Sequence, residues 1–199
     1  MKKTAKKDCV TFLHTVNPEE INPTMTADTT TDPIHIQVIL CRIGTSLGFN
    51  IWLPVSARSH IVEIWAPRRG ELLDELPLEF ESSMMKGIEK IDVLWISRCS
   101  IVRAFVFEST SSKCTGLLTL VDLSTRQPKS NIKLHLVAES ENYPRVAQDF
   151  RNSAFAVLEG RNASEICTFL SYESIQEIAG LKFYSHLADR VISDFENAI

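Results

Sequence analysis

A chain of 199 residues, 44% hydrophobic and 23% charged, carries enough apolar material for one sizeable core, as in an ordinary soluble globular protein. The mild formal charge of −4 excludes the global basic field of many nucleic-acid binders, so a polyanion would have to meet a local patch. Five cysteines (Cys9, Cys41, Cys99, Cys114, Cys167) and five histidines (His14, His35, His60, His135, His186) are scattered with no Cys-x-x-Cys pair or ligand spacing. This excludes a disulfide framework and a zinc site, and points to a reducing, cytoplasmic setting.

Residues 1–31 start with a lysine-rich run in which Lys6, Lys7 and Asp8 interrupt where the apolar stretch of a signal peptide would lie. With the Thr-, Asp- and Pro-rich segment that follows, they read as an N-terminal tail or linker, leaving 32–199 as one domain. No stretch approaches the roughly 18 apolar residues of a membrane span.

Asp32 and Pro33 form an N-cap and first-turn pair. The helix that follows carries Ile36, Ile39, Leu40, Ile43 and Leu47 on one stripe and stops at Gly48. "NIWLPV" is a short strand. The stretch "ARSHIVEIWAPRRGELLDELPLEF", broken by Pro67, Gly70 and Pro77, reads as loop with one strand or short helix. "ESSMMKGIEK" is a helix feeding the strand "IDVLWI", and "AFVFE" is the next strand. "TGLLTLVDLS" is helical by its Leu117, Leu118, Leu120 and Val121 spacing. "NIKLHLVA" is a strand, "ENYPRVAQDFRNSAFAVL" a helix turning into a strand, "ICTFL" a strand, and Ser171 opens another helix. "YSHLADRVISDFENAI" is expected as a closing helix. Alternating strands and helices give an α/β class with a mixed central sheet flanked by helices.

Two of these strands carry an acid in an apolar run, Asp92 in "KIDVLWI" and Glu108 in "AFVFEST". The connector "SRCSIVR" is too short for a parallel crossover, so the strands form an antiparallel hairpin. If it is symmetric about Ser100, Leu94 faces Val106 and Asp92 faces Glu108. Opposed carboxylates at roughly 4.5–5.5 Å between Cβ atoms repel one another. A hydrated Mg²⁺, a nearby Lys or Arg, or a shared proton would satisfy the pair.

The order of these elements, with "IDVLWI", then "AFVFESTSSKCTGLLTLVDL", "KLHLVA", "RVAQDF" and "CTFLSYESI" over about residues 33–178, resembles the PD-(D/E)xK nuclease superfamily, the restriction-endonuclease-like fold. The resemblance implies an acid-bearing central β-hairpin and Mg²⁺-dependent hydrolysis of DNA phosphodiesters. Asp92 matches the first metal-ligating acid and Glu108 an acid of the second half-motif. Thr110 stands where the motif has lysine, and Lys113 is the candidate for a displaced lysine. The resemblance also implies DNA as partner, a homodimer for cutting two strands, and partner proteins of a restriction-modification system. With the motif lysine absent, the alternative is a catalytically inactive nuclease fold that binds DNA or protein.

Arg68, Arg69, Arg98 and Arg103 are candidates for neutralising phosphates. Ser109 and Ser111 lie in a hydroxyl-rich turn suited to capping the next helix and leaving N–H groups for an anion.

Overall fold

The structure, a computed structural model, describes residues 32–77, 82–108, 116, 119–120, 123, 131–152, 157–158, 161–162, 167–181 and 190–198. Its centre is a six-stranded mixed sheet. Strand β1 (Asn50–Trp52) pairs antiparallel with β2 (Val93–Ser97), and β2 with β3 (Ser100–Phe107). Strands β3, β4 (Lys133–Ala138) and β7 (Cys167–Ser171) run parallel, and β8 (Asn197–Ala198) closes the far edge antiparallel to β7. Between β4 and β7, β5 (Val157–Leu158) and β6 (Arg161–Asn162) form a separate two-stranded ribbon.

Helix α1 (Pro33–Ser46) starts as expected: the Asp32 carboxylate accepts the Ile34 N–H at 3.1 Å, and Pro33 occupies the first turn. It ends as Gly48 takes φ +86, a backbone conformation that suits glycine. Helix α2 (Val55–Trp65) follows β1, α3 (Ser82–Ile88) precedes β2, α4 (Tyr143–Asn152) lies between β4 and β5, and α5 (Tyr172–Gly180) opens on the Ser171 cap. A short helix α6 (Arg190–Ser193) leads to β8. Gly116, Thr119, Leu120 and Leu123, described within the stretch between β3 and β4, are helical.

Both faces of the sheet are covered, as apolar runs on both sides require. One face gathers Leu94, Ile96, Ala104, Val106, Leu134, Leu136 and Phe169 under Leu120, Leu123 and Val146. The other packs Val93, Trp95, Phe105, Val137 and Leu170 against α1, α2 and α5. Trp95 is fully buried there, stacked on Phe49 at 5.4 Å and tilted against Phe105 at 4.9 Å. Such rings dominate core energetics.

Three expectations need correction. The "ARSHIVEIWA" stretch is a full helix, because its breakers Pro67, Gly70 and Pro77 all lie beyond Trp65. Ile61 and Trp65, one turn apart, supply its buried stripe. The hairpin is not symmetric about Ser100. Its two-residue turn, Arg98–Cys99, pairs Ser97 with Ser100, and a bulge then sets Leu94 opposite Ala104 rather than Val106. A bulge adds one residue to one strand, which shifts every later pair. Finally, the chain end is helical over Arg190–Ser193 and then enters the sheet edge as β8, instead of remaining helical. The tail 1–31 lies outside the described residues.

Candidate functional site

Asp92 sits where the chain bends into β2. Its N–H donates to the Phe105 carbonyl at 3.1 Å, and its Oδ2 accepts the Phe107 N–H at 2.8 Å. The side chain takes a strand N–H that a partner carbonyl would otherwise take, and this fixes the carboxylate at the end of β3. Glu108 is the next residue after Phe107. Its N–H donates to the Val137 carbonyl at 2.9 Å, its side chain is buried, and its Oε2 accepts the Gly116 N–H at 3.0 Å. A Cβ on Gly116 would lie 2.6 Å from that Oε2 and 2.9 Å from Val106 Cγ1. Only glycine lets this backbone come so close to Glu108.

The two acids do not face each other across the hairpin, but the structure brings both to one end of it. The Asp92 carboxylate is bonded to the peptide N–H of the residue that precedes Glu108. Each carboxylate is anchored through one oxygen by a main-chain N–H. At Asp92 that donor favours the charged form, and burial opposes it. At Asp92 burial prevails and pushes the carboxyl up to about 6, with the Phe107 N–H offsetting part of the rise. Among the described residues no Lys or Arg pairs with Asp92.

Neighbouring strand ends add groups that sequence reading did not pick out. Because β3, β4 and β7 are parallel and in register, Glu108, Glu139 and Tyr172 all leave the sheet at the same end. Tyr172 packs its ring on Phe107 at 5.8 Å. Burial first, and then the fields of Glu139, Asp92 and Asp32, push its hydroxyl up to about 12. The available signal was positional, since Glu139 and Tyr172 each directly follow a strand. Their proximity depends on the parallel pairing. Among the described residues no three His, Cys, Asp or Glu side chains converge in a way that could hold a metal ion by themselves. Two all-oxygen donors match the smaller protein share that a hydrated Mg²⁺ takes, one or two carboxylates with the rest water.

The predicted basic residues lie elsewhere. Arg68, Arg69 and Arg98 are exposed, but at the hairpin-turn end of the sheet. Asn50 pairs with Ile96 and donates its Nδ2 to the Gly70 carbonyl at 2.7 Å, and Arg98 occupies the turn itself. The length of β3 separates them from the acids, roughly 25 Å at the usual strand rise. Arg103 is not at the surface. It is fully buried, with Nη1 donating to His135 Nε2 at 2.8 Å and lying 3.9 Å from Glu196 Oε2.

Since a guanidinium only donates, His135 Nε2 accepts and Nδ1 carries the proton. That Nδ1 faces Thr168 Oγ1 at 2.9 Å and Glu196 Oε2 at 3.2 Å. Burial above all holds the imidazole below its ordinary value. Burial pulls the Glu196 carboxyl upward, but bonds from His135, Thr168 and Ser193 overcome it and hold it below its ordinary value. The charged pair is therefore Arg103 with Glu196, bridged by a neutral histidine. Ser109, Thr110, Ser111 and Lys113 lie outside the described residues. The Gly116 N–H holds the carboxylate of Glu108.

The family model for the type II restriction enzyme NmeDI C-terminal domain matches residues 15–197. No curated protein and no solved structure matches the chain. Among the described residues no helix is long and apolar enough to cross a membrane.

Proposed function

Because the chain belongs to the family of the type II restriction enzyme NmeDI C-terminal domain, we propose that it is a DNA-acting component of a restriction-modification system. Its fold on this reading is restriction-endonuclease-like, of the PD-(D/E)xK kind, and its Asp92–Glu108 end hydrolyses phosphodiester bonds with Mg²⁺. One observation supports the reading: two carboxylates lie at the same end of an antiparallel hairpin, each fixed by a main-chain N–H, Asp92 on that of Phe107, the residue before Glu108, and Glu108 on that of Gly116. The bound cation would polarise the phosphoryl oxygen and lower the pKa of attacking water. Asp92 and Glu108 would hold and orient it. With its carboxyl raised to about 6, Asp92 is mostly ionised near neutral pH and gives up its proton to a bound cation at about pH 6 and below. Thr110 and Lys113 are the proposed accessories to the water, and dimerisation would supply the second strand's cut.

A second reading rests on Thr110, which cannot supply the positive charge of the motif lysine. In it the fold binds DNA, or a partner of a restriction system, without cutting. Plasmid nicking at millimolar Mg²⁺ or Mn²⁺, with DNA binding measured alongside in EDTA, separates the two. Nicking that requires metal and disappears in Asp92→Ala and Glu108→Gln supports the enzyme. Binding with no nicking at any metal level supports the inactive module, and the absence of both contradicts each.

A further inference from the structure

Glu139 and Tyr172, the other groups at the acid end of the sheet, are fixed there by their own contacts. Ser171 pairs with Ala138 in register, which sets Tyr172 beside Glu139 at the ends of adjacent parallel strands. The Ser171 Oγ accepts the Ser174 N–H at 3.0 Å, so the cap of α5 settles the point from which the Tyr172 side chain departs. One residue on, the Glu173 carboxylate accepts the Ser140 hydroxyl at 3.1 Å and the Ser140 N–H at 3.3 Å. That ties the chain following Glu139 to the same helix. The Tyr172 ring lies on Phe107, the residue whose N–H holds Asp92.

Tyr172 is 4% exposed, yet its hydroxyl has no hydrogen-bond partner among the described residues and is not shut away from solvent. Tyr143 is the contrast, since its hydroxyl donates to the Ala198 carbonyl. A buried tyrosine ordinarily finds such a partner. Here the ring is packed and the polar tip is left open, at the end of the sheet that gathers carboxylates. Burial, with the fields of Glu139, Asp92 and Asp32, keeps that tip protonated well beyond neutral pH. A hydroxyl that stays protonated is a standing donor, and the non-bridging oxygens of a phosphodiester only accept. A lysine or arginine in the same place would pair with the carboxylates and compete with a cation for them. A neutral phenol donates without doing so.

We propose that the Tyr172 hydroxyl donates a hydrogen bond to a non-bridging oxygen of the phosphodiester brought to the Asp92–Glu108 end. The proposal rests on the hydrolytic reading of that end and adds a residue that acts on the substrate rather than on the cation. A donor aimed where negative charge grows during cleavage lowers the barrier more than it tightens binding.

The test compares the wild-type chain with Tyr172→Phe, which keeps the ring on Phe107 and removes only the hydroxyl. Plasmid nicking at saturating Mn²⁺ gives kcat and the KM for DNA, calorimetry gives the Mn²⁺ affinity, and thermal melts give stability. Loss of one hydrogen bond to a charged oxygen corresponds to roughly a ten- to hundredfold fall in kcat. That fall is expected with KM, Mn²⁺ affinity and melting temperature unchanged. Equal kcat in the two proteins overturns the proposal and leaves the hydrolytic reading standing. A fall in kcat that comes with weaker Mn²⁺ binding or a lower melting temperature also overturns it, because the hydroxyl would then serve the cation or the fold. A wild-type chain that nicks no DNA at any Mn²⁺ level overturns the hydrolytic reading, and the role of Tyr172 falls with it.

Discussion

Above pH 6 the Asp92 carboxylate is ionised against its surroundings, because burial lifts it to about 6 and the Phe107 N–H recovers only part of that. Its folded value lies above the ordinary 3.8. Its contribution to stability is therefore fully present below pH 3.8 and is lost as pH rises through about 6. Asp92→Asn keeps an acceptor for the Phe107 N–H and removes the charge. In metal-free buffer at pH 7.5 the variant should be more stable than the wild type by about 2–3 kcal/mol at most. The gap should close near pH 3.5, where both side chains are neutral, and thermal melts at the two pH values would show it. An equal or lower melting temperature at pH 7.5 contradicts the assignment. Both acids were legible in the sequence because a carboxylate inside an apolar strand is conspicuous. Arg103 was not, since its partners His135 and Glu196 are distant in sequence and only the parallel pairing brings them together.

At the level of elements, α1 owes its seat to Gly44. A Cβ there would lie 2.6 Å from Trp95 Nε1 and 2.7 Å from Ile51 Cδ1. Both neighbours are fully buried, so neither has space to move into. Gly44→Ala removes a helix-weakening glycine, a gain of roughly 0.5–1 kcal/mol when nothing clashes. Here overpacking, typically costing about 1–3 kcal/mol, should win and leave the variant less stable. Urea denaturation that shows Gly44→Ala equal to or above the wild type would mean that α1 stands further from β2. Element types were mostly readable from periodicity and caps, as for α1 and β4. Register was less so, because the bulge near Ile96 depends on how a strained Arg98 turn closes. The extent of α2 was missed because prolines and glycine crowd the segment just beyond it.

Across the whole molecule, a parallel core of β3, β4 and β7 collects strand ends on one side, and the antiparallel hairpin returns its turn to the other. That topology separates the acids from Arg68, Arg69 and Arg98, and alternation of strands and helices could not reveal it. It depends on which strands pair and in which direction. The chain end is tied into the same body. Glu196 reaches the buried Arg103 and His135, Lys133 bonds Ser193, and the Tyr143 hydroxyl donates to the Ala198 carbonyl at 2.8 Å. These links hold β8 on the sheet edge, far along the chain from the hairpin that carries the acids.

The central claim is that Asp92 and Glu108 form one cation site. Calorimetric titration of Mn²⁺ at pH 6, repeated in buffers of different ionisation enthalpy, tests it most directly. With Asp92 near half-protonated at that pH, binding should release about half a proton per metal ion. In Asp92→Asn and Glu108→Gln, uptake should weaken and the proton release of the Asp92 variant should vanish. No uptake at millimolar Mn²⁺, or binding that neither substitution disturbs, would contradict the claim.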